Sequence, residues 1–166
     1  KKKLKIHYEN LIEKLKNISN RLKKKVIVCI HPSDNLKKKK KIFSKFLVKQ
    51  FETKKYIYQS DLVLFFESSA IIDAIMLKKK IMTIDSKAMD ENQISHNLHY
   101  VKEIDIPMLN IDQKLSFKKK ESLFKFDKKK IELTYKKYIE KYIAPDNSNV
   151  LGHQKFAKII KDRYMK

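Results

Sequence analysis

The sequence predicts an α/β protein, a Rossmann-like parallel sheet flanked by helices, and three observations predict it. Residues 26–30 and 62–66 are continuous apolar runs rich in β-branched and aromatic side chains, the pattern of strands covered on both faces. Residues 4–22 carry Leu4, Tyr8, Leu11, Ile12, Leu15, Ile18 and Leu22 at helical spacing, an amphipathic stripe. Between them, strand and helix signals alternate, as crossover connections in a parallel sheet require.

Taken in order, residues 26–30 form the first strand, ended by His31-Pro32, because proline cannot continue a central ladder. Residues 33–41 read as a loop or helix start, with Ser33 or Asp34 as the N-cap. A short strand at 46–51 and a short helix at 52–59 follow, then a strand at 62–66, a helix at 70–78 and a strand at 81–84. Residues 86–100 are polar and read as a loop, with 101–106 as an extra strand or lid. A helix is expected at 128–143, a polar turn at 144–149 holding Asp146, Asn147 and Ser148, and a final helix at 150–164.

A chain of 166 residues can bury one real core. We therefore expect a single domain over 1–166, with its core at 25–85 and carboxyl-terminal helices at 128–164. No apolar run approaches the roughly 20 residues that span a bilayer, and the first residues lack the apolar segment of a signal peptide. The single cysteine, Cys29, allows no intrachain disulfide and favours a reducing, cytoplasmic setting.

The formal charge of +21 suggests a polyanionic partner, yet the excess is lysine in short runs, and arginine occurs only at Arg21 and Arg163. Bidentate phosphate binding and base reading favour arginine, so nucleic acid is disfavoured. Scarce glycine and absent tryptophan point instead to biased coding composition and a solvated lysine surface. Contact with an anionic membrane face, peripheral at its inner side, is the stronger of the remaining readings.

Chemistry concentrates where strands end. Glu67, Ser68 and Ser69 follow a buried strand and precede a helix, at the sheet edge where α/β proteins bind ligands. Serine hydroxyls and helix N–H groups there suit a phosphate, although ordinary capping also explains them. Asp73 shares the serine face and can accept a sugar hydroxyl, or simply complement the helix dipole. His31 ends another strand at the same edge and can donate to a phosphate or stabilise a leaving group. His96 and His99, with Asp85, Asp90 and Glu91, do not match a helix-borne zinc motif, so no metal is expected. A lid over a base or sugar is the better use for them. His153 reads as a surface or interface residue.

The block Ser60-Asp61, then Ser68-Ser69, then Asp73-Ala74, preceded by His31-Pro32 and followed by Lys79-Lys80-Ile81-Met82, resembles the donor-binding half of GT-B glycosyltransferases. Within them it is similar to bacterial capsule enzymes and CDP-glycerol glycerophosphotransferases. The resemblance covers residues 25–85 and lacks the usual glycine and proline of the basic turn. It implies a fragment of a two-domain enzyme, with a nucleotide-activated sugar as substrate, a glycan or lipid-linked acceptor, and no metal or other cofactor. His31 would be the catalytic group; Ser68, Ser69, Asp73 and Glu67 would hold the donor phosphate or ribose. A GT-B-like sugar-nucleotide epimerase and a non-enzymatic basic adaptor for nucleic acid or anionic lipid are the alternatives.

Overall fold

The computed structural model describes residues 2–113 and 124–143. Helix α1 (Lys2–Leu22) leads into β1 (Ile27–Ile30), α2 (Leu36–Ile42), β2 (Leu47–Gln50), α3 (Thr53–Gln59), β3 (Leu62–Phe65), α4 (Ile71–Met76), β4 (Lys80–Asp85), α5 (Glu91–Ile104) and β5 (Met108–Asn110). The chain divides into two compact units, Lys1–Phe126 and Asp127–Lys166. The second holds α6 (Lys128–Tyr138), capped by the Asp127 carboxylate, and a π-helical turn, Ile139–Ile143. The expected turn at 144–149 and the final helix, with His153, lie outside the described residues.

In the first unit every strand pair is parallel. β1 pairs with β2, with Ile27 opposite Leu47; β3, β4 and β5 form a second sheet in that order, with Phe65 opposite Thr83 and Ile84 opposite Leu109. The architecture is α/β and Rossmann-like, two small parallel sheets flanked by helices. α1 spans both sheets. Its Leu11 packs against the cluster of Ile30, Phe43 and Val48 on one side and that of Ile18, Met82, Ile84, Leu109 and Ile111 on the other. Each such fully buried aliphatic side chain contributes about 1.5–3 kcal/mol. The opposite sheet face is buried too, with Ile81 inaccessible and Phe65 edge-on to Tyr100 of α5 at 5.6 Å.

Several boundaries differ from the sequence expectation for physical reasons. Residues 86–106 are not a loop and a strand but mostly α5, begun by a capping box in which Asp90 accepts from the Gln93 amide and Gln93 accepts from the Asp90 amide. Its inward positions are Asn97, Tyr100 and Ile104, and a buried asparagine in the stripe hides the apolar period. The α2 cap is Asn35, not Ser33 or Asp34. The helix expected at 70–78 is the six-residue α4.

Helix ends show what a glycine-poor chain does without glycine. Lys23, Lys78 and Asp105 take left-handed conformations after α1, α4 and α5, with φ of 51°, 50° and 52°. Lys24 donates to the Ser19 carbonyl and Lys79 to that of Ala74, the six-to-one bonds of Schellman closures. A side chain at such a position costs roughly 1–2 kcal/mol, partly offset where its cation meets the negative end of the helix.

Candidate functional site

The carboxyl ends of the strands gather the polar chemistry. After β1 the chain turns back on itself: the His31 amide donates to Asp34 Oδ2 at 3.3 Å and the Asp34 amide to the His31 carbonyl at 2.9 Å. The Ser33 amide donates to His31 Nδ1 at 3.1 Å, and Ser33 Oγ lies 2.7 Å from the same nitrogen. With Nδ1 accepting from the Ser33 amide, Nε2 is the ring's donor, on an exposed loop. Gln50 at the end of β2 fixes this turn, its amide donating to the carbonyls of His31, Pro32 and Asp34 at 3.2, 2.8 and 3.0 Å.

The loop after β3 is built differently. Glu67 adopts a left-handed φ of 40°, and its carboxylate accepts from Gln93 Nε2 of α5 at 2.6 Å. Ser68 Oγ accepts from the Ala70 amide at 3.3 Å, so it closes a turn instead of capping the helix. Ala70 is the N-cap and offers no side-chain bond. With only six residues, α4 supplies a weaker dipole than a long helix. Ser69 is exposed. Asp73 pairs with Lys54 of α3 at 3.6 Å, on the flank of the helix.

The two loops are linked through α1. The Phe66 ring lies 5.5 Å from the His7 ring, which lies 5.5 Å from Tyr8. The Tyr8 hydroxyl accepts from Lys39 Nζ at 2.8 Å, and Lys39 pairs with Asp34 at 3.3 Å. Burial of the Lys39 ammonium is more than offset by Tyr8 and Asp34, and its pKa lies above the ordinary lysine value. His31 and the Glu67–Ser69 loop thus flank the amino-terminal half of α1, while Asp73 sits apart against α3.

Beside them is a network that the sequence reading missed. His7 Nδ1 lies 3.0 Å from Ser86 Oγ at the end of β4. Asp112, just past β5, accepts from Asn10 Nδ2 at 2.8 Å and from the Lys87 amide at 2.5 Å. Asn110 Nδ2 donates to Asp85 at 2.7 Å, and Lys14 Nζ donates to the Gln113 carbonyl at 2.5 Å. Burial depresses the His7 pKa below its ordinary value, with Lys39 adding to the effect and Asp112 opposing it. For Asp112, burial works against ionisation, but the donors from Lys87, Asn10 and Ser86, together with His7, hold the carboxyl below its usual range. At 2% and 6% exposure, Ser86 and His7 are too enclosed to meet a substrate. The network fastens α1 to the sheet edge. Its signal in the sequence was the polar stripe of His7, Asn10 and Lys14 beside the apolar one.

His96 and His99 lie on α5, both stacked edge-on to Tyr100 at 5.2 and 5.3 Å, not on a lid. Asp85 is taken up by Asn110 and Asp90 by the helix cap. Among the described residues no group of three histidine, cysteine or acidic side chains could hold a metal ion. An open concavity of about 460 Å3 runs along α5, lined by Glu91, Ile94, Ser95, Leu98, His99 and Lys102. It is the outer surface of a single helix and includes none of the strand-end residues. Among the described residues no helix is long and apolar enough to cross a membrane. No family model, no curated protein and no solved structure matches the chain.

Proposed function

We propose that this chain is the donor-binding domain of a glycosyltransferase, moving a sugar or polyol phosphate from a nucleotide donor to a surface-polysaccharide acceptor. The observation that carries the reading is the placement of the His31 loop and the Glu67–Ser69 loop on either side of α1 at the carboxyl edge of parallel strands. Ligands of open α/β sheets bind at such edges.

In this reading the donor diphosphate lies across the two loops. The Nε2 proton of His31 meets a phosphate oxygen, and the Ser69 hydroxyl and the turn amides meet others. As the glycosidic oxygen–carbon bond breaks, negative charge grows on the departing diphosphate, and these donors stabilise it without reorganising. The acceptor hydroxyl and the base that deprotonates it come from outside the described residues. Ser68 shapes the turn, and Asp73 holds Lys54 near the α3–α4 flank.

Thermal-shift and calorimetric titration with UDP, CDP, GDP and ADP tests the reading. Binding of one of them, weakened at least about tenfold in His31→Ala and in the Ser68→Ala/Ser69→Ala double variant, supports it. Absence of a response to all four at millimolar concentration overturns it.

A further inference from the structure

The lysine runs, scattered in the sequence, converge in space. Lys23, Lys24 and Lys25 occupy the turn from α1 to β1, Lys45 the turn from α2 to β2, and Lys78, Lys79 and Lys80 the turn from α4 into β4. All these turns lie at the amino-terminal edge of the strands. Side-chain contacts join them to the α3–β3 turn as well. Lys24 pairs with Asp61 at 2.8 Å, and Lys79 Nζ donates to the Tyr58 and Ser60 carbonyls at 2.6 and 3.0 Å. The α2–β2 turn adjoins the first through the Ile27–Leu47 register.

The four turns contain one carboxylate, Asp61, and Lys24 already neutralises it. Lys23, Lys25, Lys45, Lys78 and Lys80 are exposed. Acidic residues return only at the α5–β5 turn, with Glu103 and Asp105. Between the ammonium groups, apolar side chains face water: Ile27 and Leu47, the register-paired first residues of their strands, with Tyr58 and Met76.

We infer that the amino-terminal edge of β1, β2, β3 and β4 is a docking surface for an anionic lipid bilayer. Lysine ammonium groups are drawn to anionic headgroups, while exposed aliphatic and aromatic side chains enter the headgroup and acyl boundary. Ile27, Leu47 and Met76 have no counterpart in a nucleic-acid backbone, and the four turns carry lysine where a phosphate clamp uses arginine. Docked in this way, the His31 and Glu67–Ser69 loops, at the opposite ends of the strands, face away from the lipid.

The test uses the full chain and sedimentation with vesicles of phosphatidylcholine, with and without phosphatidylglycerol. Binding is expected only to the anionic vesicles and is weakened by added salt. A variant carrying Lys23→Gln, Lys25→Gln, Lys45→Gln and Lys78→Gln is expected to bind at least about tenfold more weakly. An equal-charge variant at the carboxyl edge, Lys5→Gln, Lys37→Gln, Lys55→Gln and Lys87→Gln, is expected to keep most of the binding. Ile27→Ser with Leu47→Ser is expected to weaken it about fivefold. Equal losses in the two lysine variants, no effect of the serine pair, or tighter binding to an oligonucleotide than to anionic vesicles at the same salt would overturn the inference. Nucleotide titration of the same variants reads the donor site separately, so either proposal can fail alone.

Discussion

His7 and Ser86 stand 79 residues apart in the chain and 3.0 Å apart in the fold. The contact joins the amino-terminal half of the first helix to the end of the central strand β4. Because the histidine is enclosed and its pKa lowered, the native state holds it neutral while the unfolded chain protonates it near its ordinary value of 6.5. The unfolded state then binds more protons, so stability falls as pH drops below about 6.5. Asp112, also lowered, contributes stability above its ordinary value of 3.8, and that contribution is lost as pH falls through its native value. The thermal midpoint is expected to decline in two stages on acidification, and His7→Gln is expected to abolish the upper one. An unchanged upper stage in that variant would show that another group controls it.

Asp112 collects donors from two chain segments, Asn10 of α1 and the adjoining Ser86 and Lys87, and its replacement leaves them without their acceptor. Asp112→Ala is expected to cost about 2 kcal/mol in urea unfolding. Asn10→Ala should cost less, since the Lys87 amide still reaches the carboxylate. If the two losses match, the carboxylate acts through Asn10 alone.

Lys78 occupies a left-handed position that glycine adopts without strain. Lys78→Gly is expected to raise stability by roughly 1 kcal/mol. Glu67→Gly should bring no such gain despite its φ of 40°, because it also removes the bond to Gln93. Paired denaturation curves measure both, and destabilisation by Lys78→Gly would refute the strain argument.

Gln50 holds the His31 turn through three carbonyls. Gln50→Ala is expected to weaken nucleotide binding about three- to tenfold by loosening the loop.

The Cys29 thiol is half-buried in β1, and burial raises its pKa although Thr53 hydrogen-bonds to it and partly opposes the shift. Its reaction with a disulfide reagent at neutral pH is expected to be slower than that of free cysteine. Reaction at the free-thiol rate would mean that the strand opens readily.

The first four strands and the α1 stripe were legible because apolar runs and a 3.6-residue period have few other interpretations, whereas β5 at Met108–Asn110 was not expected. Residues 86–106 were not, since α5 turns Asn97 inward, where its amide donates to the Ile84 carbonyl at 2.9 Å. His31 and the Ser68-Ser69 pair were visible as strand-end residues, yet nothing local showed that Glu67 would turn left-handed and give Ser68 a turn to close. The His7, Ser86 and Asp112 network depends on residues distant in sequence, and no window along the chain contains it. Polar residues beside an apolar helical stripe were its one local trace. The lysine runs read as punctuation between elements; only the parallel topology shows that they share an edge.

The fastening of α1 has a consequence for synthesis. Asn10 and Lys14 find their partners, Asp112 and Gln113, only after 102 and 99 further positions of chain exist. At 5–20 residues per second, the first helix waits roughly 5–20 s on the ribosome with its polar anchors unmet. Its apolar stripe can meet β1 and β2 much earlier, through Leu11 and Ile12. A nascent chain therefore has a settled first sheet and an unlatched helix until β5 emerges, an interval in which that helix is open to chaperones.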